Sequence, residues 1–499
     1  MKTKLFQPTF NSPCLVVLER GRIRHYELEG KSRWVIGRIV TGNIPDIPLA
    51  SSIASRIHGE ITLVDNEWFY FDSMDNLNGT LYNGVRIKKG LNDRVCPVML
   101  KSGDVLQIDD INANKADPRG VWMLFSTENI PGEWAYYPLS GQDTTVIGRD
   151  AARCDLVQPL AYISAQHAKI TYVDGKFYVS DCGSTAGTWL NGTAVNAPVC
   201  LKEKDRISLC DCHFIYTGSG LVYNRRNMSE ANTRPQGNII LTADIQSKKV
   251  RNQNGHGEKE LIRNVKLEIR SGKLIALLGG SGAGKSTLMN CLNGTEQGGV
   301  QGVVQFQGED LYRNYERLKY LVGNVPQKNI LHEALSVEEE LRNAAMLRLP
   351  GNSSRDYIKQ QVNKTLQVLN LEARRRTQIK KLSGGEQKRV NIGIELVADR
   401  QLLCLDEPDA GLDPLAKKEL FMTLRDLAHL RGKCILVIIH DVSEIDLFDQ
   451  IIMMAKVNDV GRLAYSGTPA GARKHFQVDN LTKAYDAIQK EPERYIEVN

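Results

Sequence analysis

Short runs of alternating apolar and polar positions fill the chain up to residue 220, among them Glu67-Trp68-Phe69-Tyr70-Phe71 and Lys176-Phe177-Tyr178-Val179. The pairs Asn83-Gly84, Asp174-Gly175 and Asn191-Gly192 punctuate them. A period of two marks a strand with one buried face. Asn-Gly and Asp-Gly close hairpins because both residues tolerate positive φ. The pattern predicts β-sandwiches. It also repeats. Val35-Ile36-Gly37-Arg38, Ser55-Arg56-Ile57-His58, Asn78-Gly79-Thr80 and Asn83-Gly84 come first. They return in order as Val146-Ile147-Gly148-Arg149, Ser164-Ala165-Gln166-His167, Ala186-Gly187-Thr188 and Asn191-Gly192. Two sandwiches are expected, over residues 1–127 and 128–220.

Residues 221–237 turn polar, with Arg, Asn, Ser, Thr and Pro, and read as a linker. From 238 to 478 apolar strand patterns alternate with helical ones, the mark of an α/β domain. Residues 479–499 read as a charged helical tail. The longest apolar runs, such as 434–439, are strand-length. A membrane-spanning helix needs roughly 20 apolar residues, so this chain is not expected to form a translocation pathway by itself.

Chemistry concentrates in the α/β half. The apolar strand 273–278 runs into Gly279-Gly280-Ser281-Gly282-Ala283-Gly284-Lys285-Ser286-Thr287 and then a helix. This is a P-loop in the context that it requires. Its backbone amides and the helix N-terminus suit phosphate, with Lys285 directed to the β- and γ-phosphates and Ser286 to Mg²⁺. A second strand, Leu402-Leu403-Cys404-Leu405, ends in Asp406-Glu407-Pro408. Ligands of open α/β sheets gather at that edge. Asp406 is placed to hold Mg²⁺ through water, and Glu407 to polarise an attacking water as general base. A third, Leu382-Ser383-Gly384-Gly385-Glu386-Gln387, precedes a basic helical run.

Leu-Ser-Gly-Gly-Glu-Gln between a P-loop and a Leu-Asp-Glu strand resembles the ATP-binding cassette. The resemblance implies ATP and Mg²⁺ as cofactors and a head-to-tail pair of cassettes. Ser383 and Gly385 of one copy would reach the γ-phosphate held by the other. Val325-Pro326-Gln327 resembles the Q-loop, so Gln327 should meet Mg²⁺ and the attacking water. Gly411-Leu412-Asp413 resembles the D-loop, and His440 matches the switch histidine. The run 384–396 is similar to the G (white) subfamily of transporters. Two departures stand out. Asp409-Ala410 replaces the Thr-Ser that often follows Asp-Glu-Pro, and no aromatic residue occurs from 225 to 274 to stack on adenine. Apolar contacts, from residues such as Val250, are expected to hold the base.

The repeated half resembles the forkhead-associated domain, a sandwich that binds phosphothreonine peptides. The resemblance assigns phosphate to Arg38, Ser55 and Arg56, the peptide backbone to Asn78, and a buttress to His58. In the second copy it assigns phosphate to Arg149, Ser164 and Thr185 and the buttress to His167. There Ala186 replaces the backbone-holding Asn and Ala165 follows the Ser. A fixed guanidinium with short hydroxyl donors is a physically apt phosphate site.

Composition narrows the choice. A hydrophobic content of 42% with 24% charged residues is that of globular domains, and 499 residues exceed one core. The net charge of +6 is too mild to demand nucleic acid. Ten scattered cysteines fit a reducing cytoplasm. Cys210-Asp211-Cys212-His213 is spaced for a strand rather than for zinc. Arg374-Arg375-Arg376 with Lys380-Lys381 reads as a solvated helix end. The expectation is a multidomain chain: two all-β forkhead-associated sandwiches, then an α/β P-loop cassette. It would be the ATP-hydrolysing subunit of a transporter, controlled by a phosphothreonine-bearing protein. It would sit on the inner face of the cell membrane beside a permease on a separate chain. The alternative is a non-transport cassette ATPase acting as a phosphorylation-dependent signalling or assembly factor.

Overall fold

The computed structural model describes residues 13–495 except 20–21, 41–43, 65–66, 83–84, 88–96, 101–103, 110–119, 127–133, 142, 203–204, 217, 219, 225–238, 252–256, 308 and 491. Most of the expected linker and the Asn83-Gly84 turn lie outside the described residues. The chain divides into two compact units. One comprises Met1–Gln158, Gln166–Gly183 and Gly187–Arg226; the other comprises Pro159–Ala165, Ser184–Ala186 and Asn227–Asn499.

The first unit holds the two sandwiches. In the first, a five-stranded sheet runs Ile47–Leu49, Arg33–Arg38, Gly59–Val64, Glu67–Asp72, Val98–Leu100. A six-stranded sheet runs Arg22–Glu27, Cys14–Glu19, Val121–Ser126, Val105–Ile108, Thr80–Tyr82, Val85–Arg86. Alternation puts Trp34, Ile36, Ile61, Trp68 and Tyr70 into the core between them. The second sandwich repeats the five-stranded order, with Thr145–Gly148, Ala168–Val173 and Lys176–Asp181 at its centre.

Its six-stranded sheet differs in one slot. In the first copy the strand beside Val121–Ser126 is the opening strand Cys14–Glu19. In the second, Gly220–Asn224 pairs with both Cys212–Tyr216 and Trp134–Pro138 and fills that slot from the C-terminal side. Residues 221–224, expected in the linker, therefore complete a sheet. Ile215 and Val222 also cluster with Cys14, Val16, Leu18, Trp122 and Leu124. That explains why Cys14–Glu19 is buried along its whole length rather than on one face.

The second unit is built on a ten-stranded sheet. Its parallel part runs Gln450–Val457, Leu274–Gly279, Cys434–Ile438, Leu402–Asp406, Val322–Val325. Strands 274–279 and 434–438 are buried throughout, as covered parallel strands must be, which is why they read as continuous apolar runs. The chain leaves four of these strands at one end, and the P-loop, Gln327, Asp406-Glu407 and His440 each follow one of them, whereas the run 382–387 follows the short turn Ile379–Lys381. The tail is not a solvated appendage. Leu481, Ala484 and Ile488 of the helix Leu481–Lys490 belong to the same apolar core as Leu274 and Leu278.

Candidate functional site

The loop after strand 274–279 is tight enough to exclude a side chain at Gly279 and at Gly284. A Cβ on Gly279 would lie 2.7 Å from the Met454 carbonyl oxygen. Gly284, at φ 84°, caps the helix Lys285–Leu292, and a Cβ there would lie 2.6 Å from Ile262 Cγ2. Lys285 turns back on its own loop. Its Nζ donates to the carbonyls of Gly279 at 2.9 Å and Gly280 at 3.2 Å. Burial pulls its pKa down, against the opposing pull of Glu407 and Asp406.

At the end of strand 402–406 the two carboxylates part. Glu407 has φ 45°, a left-handed conformation that turns its side chain out of the strand path. Its Oε2 accepts from Gln327 Nε2 at 2.6 Å, and its Oε1 lies 2.6 Å from His440 Nε2. The three residues expected to share the hydrolytic step are thus joined. Asp406 has its pKa raised, by burial first and then by Glu407, with Lys285 and His440 opposing. Adjacent, incompletely compensated carboxylates of this kind fit a divalent cation, and Ser286, Asp406 and Gln327 offer the oxygen donors that Mg²⁺ takes.

Ser383 caps the helix Gly384–Leu396 in a closed box. Its Oγ accepts from Glu386 N, and its own N–H donates to Glu386 Oε2 at 2.9 Å. Arg374 Nε donates to the other oxygen of Glu386 at 2.7 Å, and Arg375 reaches Glu338 and Asn363. The end is solvated as expected, with Arg374 exposed, yet Arg374 also braces the signature region, while Arg375 ties the helices Val337–Arg348 and Arg355–Val368. Burial opposes the ionisation of Glu386, yet the Ser383 bonds and Arg374 hold its pKa below the usual value.

The contacts of two lysines escaped the sequence reading, which took Lys388 only as part of a basic helical run. Lys388 Nζ donates to the Gln327 carbonyl at 2.8 Å, tying the signature helix to the Q-loop. Lys417 Nζ lies 3.3 Å from Asp409 and 2.6 Å from Asp441. This gives Asp409 a physical role: through Lys417 it links the segment after Glu407 to the residue after His440. Asp413 caps the helix Pro414–Arg431, accepting from Leu415 N and Ala416 N at 3.0 Å. Nothing in the pattern of apolar positions marks lysines of this kind. Only their place four residues after a motif residue, Gly384 or Asp413, could have drawn attention to them.

In the first sandwich Arg38 ends strand 33–38. Its Nη1 lies 3.5 Å from the Ser52 carbonyl, and its buried Nε has no acceptor among the described residues. Gly37 must be glycine, since a Cβ would lie 2.0 Å from the Arg56 carbonyl oxygen. His58 is fully buried. Its Nδ1 accepts from Ser55 N at 3.1 Å, and burial lowers its pKa, so it acts as a neutral prop. Asn78 Nδ2 donates to the Ile53 carbonyl at 2.9 Å, and Arg56 is exposed.

In the second copy His167 Nε2 lies 3.1 Å from the Gly187 carbonyl, and Arg149 is buried. Ser164 and Thr185 fall in the second unit. There Ser164 Oγ accepts from Thr185 N at 3.2 Å, Thr185 Oγ1 accepts from Gly351 N at 3.2 Å, and the Thr185 carbonyl accepts from Tyr320 Oη at 2.8 Å.

Comparison with known proteins agrees with both halves. The ABC transporter family matches residues 262–410, and the FHA domain matches 34–109 and 145–210. An ABC transporter ATP-binding/permease protein, Rv1747 of Mycobacterium tuberculosis, is 31% identical over 343 residues, covering 68% of this chain and 37% of that protein. ABC transporter G family member 1 of Arabidopsis thaliana is 35% identical over 226 residues, covering 44% of this chain and 30% of its own length. A solved ATP-binding subunit of an ABC transporter is 26% identical, covering 50% of this chain and 99% of its own, with a TM-score of 0.41. The chain thus spans well under half the length of these two curated relatives.

Proposed function

We propose, for a chain that belongs to the ATP-binding-cassette family and carries two FHA domains, that it binds and hydrolyses ATP as the motor subunit of a transporter under phosphothreonine control. The observation that carries this reading is Glu407, gripped by Gln327 and His440 beside Asp406, at the same end of the sheet as Lys285. Lys285 leaves its loop carbonyls for the β- and γ-phosphates, which the amides of residues 280–287 surround. Glu407 accepts the proton of the attacking water, oriented by Gln327. His440 keeps Glu407 in place and faces the γ-phosphate. Mg²⁺, held by Ser286, Asp406 and Gln327, would neutralise phosphate charge.

Ser383 and Gly385 of a second copy complete the γ-phosphate site, adding a capped helix N-terminus. The G-type resemblance supports a permease partner at the inner face of the membrane. Among the described residues no helix is long and apolar enough to cross one. In the first sandwich, Arg38, Ser55, Arg56 and Asn78 receive a phosphothreonine segment. Glu407→Gln tests the centre of this reading. ATP binding should persist while steady-state hydrolysis falls about 10²–10⁴-fold. Turnover near that of the unmodified chain would remove Glu407 from the role of base.

A further inference from the structure

The helix Leu481–Lys490 does more than fill the core. Leu481, Ala484 and Ile488 recur at helical spacing and bury one face. Tyr485 follows Ala484, and its ring packs half-buried against the same cluster. Its hydroxyl donates to the Gly279 carbonyl oxygen at 2.8 Å. Gly279 is the last residue of its strand and the first of the P-loop, and it is buried so close to the Met454 backbone that a Cβ there would lie 2.7 Å from the Met454 carbonyl oxygen.

The same carbonyl is one of the two on which Lys285 rests. A carbonyl oxygen has two lone pairs, and here Lys285 and Tyr485 each take a bond to it. Nucleotide binding requires Lys285 to exchange these carbonyls for phosphate oxygens. Leaving a buried carbonyl without a donor is costly, and the cost would appear as weaker nucleotide affinity. A donor that does not move with the P-loop removes that cost. Tyr485 is such a donor, because its position is set by the packing of its helix.

We propose that Tyr485 is a positioning residue for nucleotide: it keeps the Gly279 carbonyl satisfied and fixed while Lys285 swings to the phosphates, so that docking of the C-terminal helix sets ATP affinity. This rests on the reading of 279–287 as an ATP site. It places a determinant of affinity about two hundred residues from the loop it serves.

Tyr485→Phe in the full chain keeps the ring and removes the hydroxyl. Calorimetry with ATP, steady-state hydrolysis and thermal unfolding should be measured on the same preparation. The expected result is an ATP Kd and KM raised about two- to tenfold, the worth of one hydrogen bond, with kcat within about twofold and an unchanged melting temperature. Hydrogen exchange at the amides of 279–284 should speed up in the variant. If the unmodified chain fails to bind ATP, the functional reading itself falls. If it binds and Tyr485→Phe binds equally well, this inference alone is overturned. A lowered melting temperature with parallel loss of kcat and affinity would also overturn it, because that is the signature of packing.

Discussion

Asp406 shows how function is written against stability in single residues. Its pKa is raised, chiefly by burial and then by Glu407. A carboxyl whose folded pKa lies above its unfolded pKa binds more protons when folded, so its contribution to stability falls as pH rises through that interval. The ionised side chain therefore costs stability at neutral pH. Asp406→Asn should raise the melting temperature at pH 7.5 and abolish hydrolysis, and the gain should shrink as the pH is lowered toward 4. A melting temperature that drops at pH 7.5 would contradict this account. Lys417 is the converse case. It is buried between Asp409 and Asp441, and Lys417→Met leaves the largely buried Asp409 facing a second carboxylate. Urea unfolding should show a loss of about 1–3 kcal/mol, together with reduced turnover because Glu407 and His440 lie beside these residues. Unchanged stability would remove the bridge from any structural role. Glu407, Gln327 and His440 were legible in the sequence because each follows an apolar strand or sits in a family motif. Lys388, Lys417 and Tyr485 were not, because each acts across a gap that only the fold closes.

At the level of elements, continuous apolar runs announced the parallel strands, and alternation announced the sandwiches. What alternation cannot convey is which strand fills a slot. Gly220–Asn224 reads as the start of a polar linker because the residues that follow are polar, yet it occupies the place that the opening strand holds in the first copy. The helical tail was likewise hidden. Its charges dominate its composition, while the buried Leu481, Ala484 and Ile488 are spaced for a single face. The signature helix was read as a motif, and the structure adds that the motif is also a capping box braced by Arg374. Glu386→Ala should therefore destabilise the cassette by about 1 kcal/mol in urea unfolding, the usual worth of a cap. Salt should reduce the difference, since one of the two lost contacts is a partly exposed ion pair. A variant as stable as the unmodified chain would mean that Ser383 is held by other means.

The whole molecule carries two copies of one sandwich, and its two sets of reading loops have unlike surroundings. In the first copy Arg56 and Ile57 are exposed, and the Arg38 guanidinium keeps a buried donor without an acceptor among the described residues. A phosphate would pair with this guanidinium by a charge-assisted bond at its more exposed end. In the second copy Ser164 and Ala165 are 1% and 8% exposed, and the Thr185 hydroxyl already accepts from Gly351 N. Ala186 cannot make the side-chain bond that Asn78 makes to the Ile53 carbonyl. Sequence alone could flag the alanines but not the burial. One phosphothreonine peptide per chain is therefore expected, not two. Calorimetry of the full chain against a phosphothreonine peptide library should give a stoichiometry near one for the tightest peptide. Arg38→Ala should abolish the heat of binding, because a dianion loses its fixed guanidinium partner. Arg149→Ala should leave binding unchanged. Unphosphorylated peptides should give no signal. Two equivalent sites, or binding that survives Arg38→Ala and vanishes with Arg149→Ala, would reverse the assignment and make the second copy the reader.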